Sequence, residues 1–433
     1  MIPHAGYVND VAYAATFQPE LAPAWLDLVA VLGGFAAPRS GGAPAWCELG
    51  CGLGLTAIVV AGCNPGALVH GIDASPGHIR AARKAAHDAG VPATSFHALD
   101  FAAAIELDLP RFQYIVAHGV YSWIDAEAKF ALRRFIDRHL APGGLVYVSY
   151  NAMPGWAADM PFQHLVRALA GDAPGDSVAQ FAGAAETIQH LKAAGAAALA
   201  ASPMAATGWE DTKDRLPKAY FAHEYLAPAW RPLYVDEVRA DMAGIGLTPV
   251  GSATLRENFD SFVLKRAARE ALDRIGDRDR RELVRDYFLF QRFRRDVFGR
   301  APARIGEEER RARLFSLPFA LACPPDEVAF AMATQAGTVR FDNPVARRIV
   351  ERLGDGVLTL EAYRGGGDAA DDLLSNMLAL CCAGVIQPVA GDCVDVGRLN
   401  AALARAGEAS RMQVTVMPNG AALRFRGEGG GTP

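Results

Sequence analysis

At 433 residues the chain exceeds what one hydrophobic core supports, so roughly two to four domains are expected. Hydrophobic residues make up 51%, charged residues 21% and the net charge is −5, a profile that excludes a disordered or strongly basic chain. A negative balance also argues against tight non-specific nucleic-acid binding, which runs on phosphate neutralisation by Lys and Arg, and no specific nucleic acid is expected as a partner.

The start, Met1–Tyr7, lacks the basic and apolar regions of a secretory signal, and the Ala-rich stretch Ala193–Ala201 is too short to cross a bilayer. No membrane span is expected. Seven cysteines (47, 51, 63, 323, 381, 382 and 393) include no CxxC pair, which points away from a disulfide framework or a zinc site and towards a reducing cytoplasm. No metal is expected.

In chain order, an apolar helix over Leu21–Leu32 stops at Gly33-Gly34. Ala45–Leu49 reads as a strand and Thr56–Ala61 as the start of a helix. Ala67–Ile72 is a strand and Pro76–Ala89 a helix closed by Gly90. Thr94–Leu99, Tyr114–Ala117 and Leu145–Tyr150 are further strands, with a helix over Ala126–Leu140 stopped by Ala141-Pro142-Gly143-Gly144. Strand–helix alternation with short connections implies an α/β fold: a Rossmann-like parallel sheet covered on both faces.

Residues 157–215 turn helical and Ala-rich, without strand signals, and are set apart as a helical insertion. Residues 216–265 look like the completion of the sheet: a helix over Tyr234–Gly246, then Leu247–Leu255 and Phe259–Leu264 as an edge hairpin. Residues 265–314 hold 16 Lys/Arg and 10 Asp/Glu, with Leu283, Tyr287, Phe290 and Phe293 at helical spacing. Interspersed signs of charge mark a solvated helix face laced with i,i+4 pairs. Residues 266–330 are therefore expected as a helical linker through which a homodimer forms. Helices over Asn343–Leu353, Ala369–Ala383 and Asp395–Ala406, with short extended pieces at Val357–Leu360 and Val385–Val389, suggest a winged-helix-like domain over 331–426. A disordered tail follows at 427–433. The helix over Ala369–Ala383 carries Asp371 and Asp372 and no Lys or Arg, so it suits protein docking better than DNA.

The chemistry concentrates in residues 1–156, read as the ligand-binding core. Glu48-Leu49-Gly50-Cys51-Gly52-Leu53-Gly54 places an acid at a strand end before Gly-x-Gly-x-Gly and a helix. Such glycines turn the chain sharply and admit a ligand against the backbone. A dinucleotide fingerprint would need glycine at 55, where Leu55 stands, and Glu48 would repel a pyrophosphate. A sulfonium and an ammonium are attracted instead, so the pattern implies S-adenosylmethionine. The second strand ends at Asp73-Ala74, where a carboxylate can accept both ribose hydroxyls. Asp100 and Phe101 at the third strand end fit the adenine amino group and ring. The fourth strand leads into His118-Gly119-Val120-Tyr121-Ser122-Trp123, the expected acceptor-facing pocket. There His118 and Tyr121 are candidates to orient the acceptor or take its proton, and Trp123 to hold an amine. Tyr150 and Asn151 at the fifth strand end are further candidates.

With these residues in hand, the chain resembles the bacterial class I methyltransferases that carry a methyltransferase regulatory domain, a group that includes lysine methyltransferases of outer-membrane proteins. The resemblance rests on Glu48–Gly54, His118–Trp123 and Ser149-Tyr150-Asn151 with Pro154-Gly155-Trp156. A looser match runs through His223-Glu224-Tyr225-Leu226 and Phe293–Phe298. It implies cofactor binding at Glu48, Gly50, Gly52, Gly54 and Asp73, and a lysine amine as one acceptor. The Pro-Tyr start associated with the lysine-modifying members is missing from Gly6–Asp10, which leaves open whether Tyr7 and Tyr13 close over the cofactor. Three functions remain: a protein lysine methyltransferase, a small-molecule N- or O-methyltransferase, and a cofactor-binding regulatory protein without turnover.

Overall fold

The computed structural model describes residues 17–38, 43–171, 174–205, 218–354, 356–363, 367–391, 393–407 and 412–426. Tyr7, Tyr13 and the tail 427–433 lie outside them. Among the described residues, seven strands form one mixed sheet in the order β3-β2-β1-β4-β5-β7-β6. They are β1 (Ala45–Leu49), β2 (Leu68–Asp73), β3 (Thr94–Ala98), β4 (Phe112–Ala117), β5 (Leu140–Asn151), β6 (Leu247–Ser252) and β7 (Phe293–Arg300). The first five run parallel and β7 is antiparallel to both its neighbours. This is the Rossmann-like arrangement expected of a class I methyltransferase.

Every residue of β1 is buried, as a central strand covered on both faces requires. Helices α1 (Pro23–Leu32), α2 (Leu55–Gly62) and α3 (Pro76–Ala89) pack on one face. α4 (Phe101–Ala104) and α5 (Ala126–His139) lie on the other. The caps follow the sequence: Ser75, Asp100 and Asp125 each accept from a backbone N–H in the first turn of α3, α4 and α5.

The middle of the chain corrects the sequence reading. The expected hairpin of Leu247–Leu255 with Phe259–Leu264 does not form. Residues Leu255–Asn258 make a tight turn in which the Asn258 side chain bonds Ser252 N and O, and Asp260–Val263 (α11) is helical. β6 pairs instead with β7, over forty residues away in sequence. The helix before it, α13 (Arg278–Leu289), ends on Phe290 in the left-handed region, at φ 48°. Phe293 therefore leaves the helical stripe and starts a strand, so the expected helical linker 266–330 contributes a strand to the central sheet.

Nor is its charge simply a solvated face. Arg285, Arg294, Asp286 and Asp296 are buried. Arg294 binds Asp286 at 2.5 Å, Glu282 at 2.8 Å and Asp296 at 3.0 Å, and Tyr150 Oη donates to Asp296 at 2.6 Å. This network ties α13 to β5 and β7.

Helices α6 (Met160–Ala170), α7 (Ser177–Ala193), α8 (Ala197–Ala200) and α9 (Lys218–Leu226) form a separate apolar cluster with Trp123, Trp156 and Trp230. Beyond α10 (Val235–Ala243) and α12 (Arg266–Leu272), the chain continues through α14 (Glu307–Ser316), α15 (Pro344–Leu353), α16 (Leu360–Tyr363), α17 (Ala370–Cys382) and α18 (Val396–Gly407). Short antiparallel pairs are interleaved with these helices. This C-terminal part sits against α2 and α3: Leu399 packs on Gly62, Val394 N donates to Gly62 O at 3.0 Å, and Arg398 caps α3 through the carbonyls of His87 and Asp88. Among the described residues no helix is long and apolar enough to cross a membrane.

Candidate functional site

The carboxyl ends of β1, β2, β3 and β4 open into a cavity of about 640 Å³, within the usual range for a ligand site. Gly50, at φ 76°, takes a conformation that L side chains avoid, and a Cβ there would fall 2.5 Å from Val120. Its N–H and that of Cys51 bond to Ile72 O, locking the loop to β2. Gly52 lines the cavity with nothing within 4 Å of a would-be Cβ. Gly54 lies off the cavity wall, against Phe96 and Ala82, so it serves the turn into α2 rather than ligand contact.

Glu48, Asp73, Ala74, Asp100 and Phe101 all line the cavity. Glu48 is buried, and its Oε2 has no hydrogen-bond partner among the described residues. Burial, with the charge of Asp73 second, pushes its carboxyl up to about 8. Asp73 is already engaged. Oδ2 accepts from Gly52 N at 2.9 Å, and Oδ1 accepts from Ser75 N at 2.9 Å and faces His78 Nδ1 at 3.2 Å. A carboxylate offers roughly four lone-pair positions, so the acid that braces the loop keeps limited capacity for a ligand hydroxyl. Asp100 likewise accepts from Ala103 N at 2.7 Å.

His118, Trp123 and Asn151 share this cavity. His118 Nδ1 lies 2.8 Å from Tyr147 Oη and 3.3 Å from Ser149 Oγ. Trp123 is backed by Trp230, which meets Trp156 edge-on. Asn151 Nδ2 is buried without a hydrogen-bond partner among the described residues.

Tyr121 and Tyr150 do not join them. Tyr121 is fully buried away from the cavity, donates to Asp241 at 2.6 Å and accepts from Arg133 at 2.9 Å. Burial followed by Asp241 raises its phenol well above the ordinary value, the wrong direction for a base. Tyr150 is committed to Asp296. Tyr121→Phe should accordingly leave kcat within about twofold while costing about 1 kcal/mol of stability. Steady-state kinetics and urea titration measure both, and a hundredfold loss of kcat would restore Tyr121 to the site.

Four wall residues come from beyond residue 217: His223 and Glu224 on α9, and Phe293 and Arg295 on β7. Both patches belong to the looser family match in the sequence, where no local pattern gives these side chains a role. Burial pushes the Glu224 carboxyl up to about 7, against the pull of Arg292.

Residues 47–146 match the family described as "Methyltransferase domain", and residues 217–300 match "Predicted methyltransferase regulatory domain". An uncharacterized protein of Synechocystis is 34% identical over 355 residues, covering 82% of this chain and 70% of the relative. The chain belongs to the methyltransferases that carry a methyltransferase regulatory domain. The fold of this methyltransferase is shared with PKMT2 from Rickettsia typhi, with a TM-score of 0.68 and 18% identity over 95% of this chain and 86% of that one. PKMT2 solved with AdoHcy gives a TM-score of 0.64 and 20% identity over 87% and 77%. The methyl donor is S-adenosylmethionine.

The residues present fit that donor. A buried carboxyl with one oxygen lacking a partner suits a cation, the open face of Gly52 leaves room beside the backbone, and Asp73 and Asp100 stand at successive strand ends. A linkage prediction follows for the methyltransferase. Because the Glu48 carboxyl is raised, its contribution to stability is fully present in acid and is lost as pH rises through about 8. At pH 7 it is mostly protonated, so a cation seated beside it expels the proton. S-Adenosylhomocysteine binding should release up to about one proton at pH 7, read from calorimetric heats in phosphate and Tris. Identical heats in the two buffers would count against Glu48 as the cation's partner.

Proposed function

We propose that the methyltransferase acts on lysine side-chain amines of a polypeptide. The observation that carries this reading is the character of the cavity wall. Six carboxyl groups face it, Asp73, Asp100, Asp125 and Glu127 together with the raised Glu48 and Glu224, which lose their protons to an incoming cation, against the single guanidinium of Arg295. A concave surface of that sign attracts cations and repels anionic acceptors. Near its acceptor side Trp123 and Phe293 offer aromatic faces, which hold an ammonium by cation–π attraction. The resemblance of His118–Trp123 and Ser149–Asn151 to the lysine methyltransferases supports the same acceptor.

When bound, S-adenosylmethionine supplies an electrophilic methyl group on a sulfonium. The chain's own contribution is alignment and exclusion of water. Gly50 and Gly52 shape the floor, Glu48 and Asp73 hold the donor, and His118, Trp123 and Asn151 orient the incoming amine. The described residues beyond 300 line none of the cavity, which supports a C-terminal module over 331–426 that docks a polypeptide rather than capping a metabolite pocket.

Incubation with methyl-labelled S-adenosylmethionine and a host-cell lysate tests the reading. Methyl-lysine in labelled protein digests is the expected result. Label confined to the small-molecule fraction would replace this reading with a metabolite methyltransferase.

A further inference from the structure

We propose that Glu224, on the regulatory segment, receives the acceptor's ammonium and takes its proton before methyl transfer. The inference rests on the amine reading above and adds the residue that makes the amine reactive. A lysine amine has an ordinary pKa of about 10.4, so at pH 7 only roughly one molecule in 2,500 carries the lone pair that attacks. A base beside it is therefore needed.

Three of the other carboxylates on the wall are committed, and Glu127 is exposed to solvent in the first turn of α5. Asp73 holds the glycine loop, and Asp100 and Asp125 cap α4 and α5. Glu48 stands at the strand end beside the glycine loop. His118 presents its Nδ1 to Tyr147 and Ser149. The Glu224 carboxylate forms no ion pair or hydrogen bond with the described residues, half-buried on a wall shared with Trp123, Asn151 and Phe293.

The charged and titratable groups around it come from several elements. Arg292, before β7, draws its carboxyl down but is itself bound to Asp159 at 2.6 Å. Tyr225 and buried His223 flank it on α9, and Arg295 and His118 share the cavity. Burial outweighs these and raises the carboxyl to about 7, near the working pH that favours a general base. In the step, an N–H bond of the ammonium breaks and an O–H bond forms on Glu224. That leaves a neutral amine and a neutral acid, and the proton then leaves to solvent through the open side of the cavity.

The segment matched to the regulatory domain thereby contributes to the cavity itself: α9 brings Glu224 onto the wall shared with Trp123 and Phe293.

The test uses the full chain loaded with S-adenosylhomocysteine and n-butylammonium as the probe, followed by saturation-transfer NMR from pH 6 to 9. Wild type should bind the probe more tightly as pH rises through 7. Glu224→Gln should bind at least about tenfold more weakly and without pH dependence, with Glu224→Asp partly restoring it and S-adenosylhomocysteine affinity within about twofold throughout. On a lysine-containing acceptor, Glu224→Gln should lower kcat about 100-fold and remove the acidic limb of its pH profile. Equal probe binding by wild type and Glu224→Gln, or no binding by wild type, overturns the proposal. If Glu224 controls probe binding while wild type methylates no protein lysine, the ammonium site stands and the polypeptide reading falls.

Discussion

Asp73→Ala should weaken S-adenosylhomocysteine binding about 1,000-fold, or about 4 kcal/mol, while the chain stays folded. The size follows from two losses at once. The carboxylate is the intended acceptor for a ribose hydroxyl, and it also accepts from Gly52 N and Ser75 N, both at 2.9 Å. Hydrogen bonds to a charged group contribute about 1.5–3 kcal/mol each, so removing a ligand bond and slackening the loop together reach that total. Asp73→Asn keeps the shape with one acceptor oxygen and should lose only about 30-fold. Calorimetric titration separates the two variants. Alanine binding within threefold of wild type would remove Asp73 from the cofactor site.

Arg294→Met should cost about 3–5 kcal/mol of stability, the range for breaking a buried ion pair from one side. The side chain is 3% exposed and would leave Glu282, Asp286 and Asp296 facing one another. Even with Arg294 present, burial lifts the Asp286 carboxyl to about 7, whereas for Glu282 burial pushes upward but Arg294, Arg285 and Arg239 together outweigh it and hold the carboxyl at about 2. The pH signs differ accordingly. The Glu282 contribution is present above the ordinary carboxylate range and is lost as pH falls through about 2. The Asp286 contribution is present in acid and is lost as pH rises through about 7. In Arg294→Met the unpaired acids can protonate, so the deficit should be smaller at pH 5 than at pH 8. Urea titrations at both pH values measure it, and a loss below about 1 kcal/mol would mean that the network contributes little.

The cofactor half was legible in the sequence because its signals are local. The glycine turn and the caps at Ser75 and Asp125 act within a few residues of where they stand. β7 was not. Its sequence, Phe293-Arg294-Arg295-Asp296, is charged, and it becomes a buried strand only because Tyr150, Glu282 and Asp286 arrive from distant segments to satisfy it. Tyr121 misled for a related reason. Its position after β4 was right for a site residue, but its direction depends on Asp241 and Arg133, which no local pattern reveals. Gly54 shows the same limit on a smaller scale: its spacing marked the loop, while its neighbours Phe96 and Ala82 decide what it does.

β7 divides its labour by parity. Phe293 and Arg295 look into the cavity, while Arg294 and Asp296 are buried in the ion network, as alternation along a strand dictates. Cavity wall and ion network are thus written in adjacent residues of one strand yet on opposite faces. Substitutions at 293 and 295 alter the wall, whereas those at 294 and 296 alter the network that holds the sheet. The same interleaving forbids shifting the strand by one residue, because a slip would turn Arg294 and Asp296 towards the cavity and bury Phe293 and Arg295.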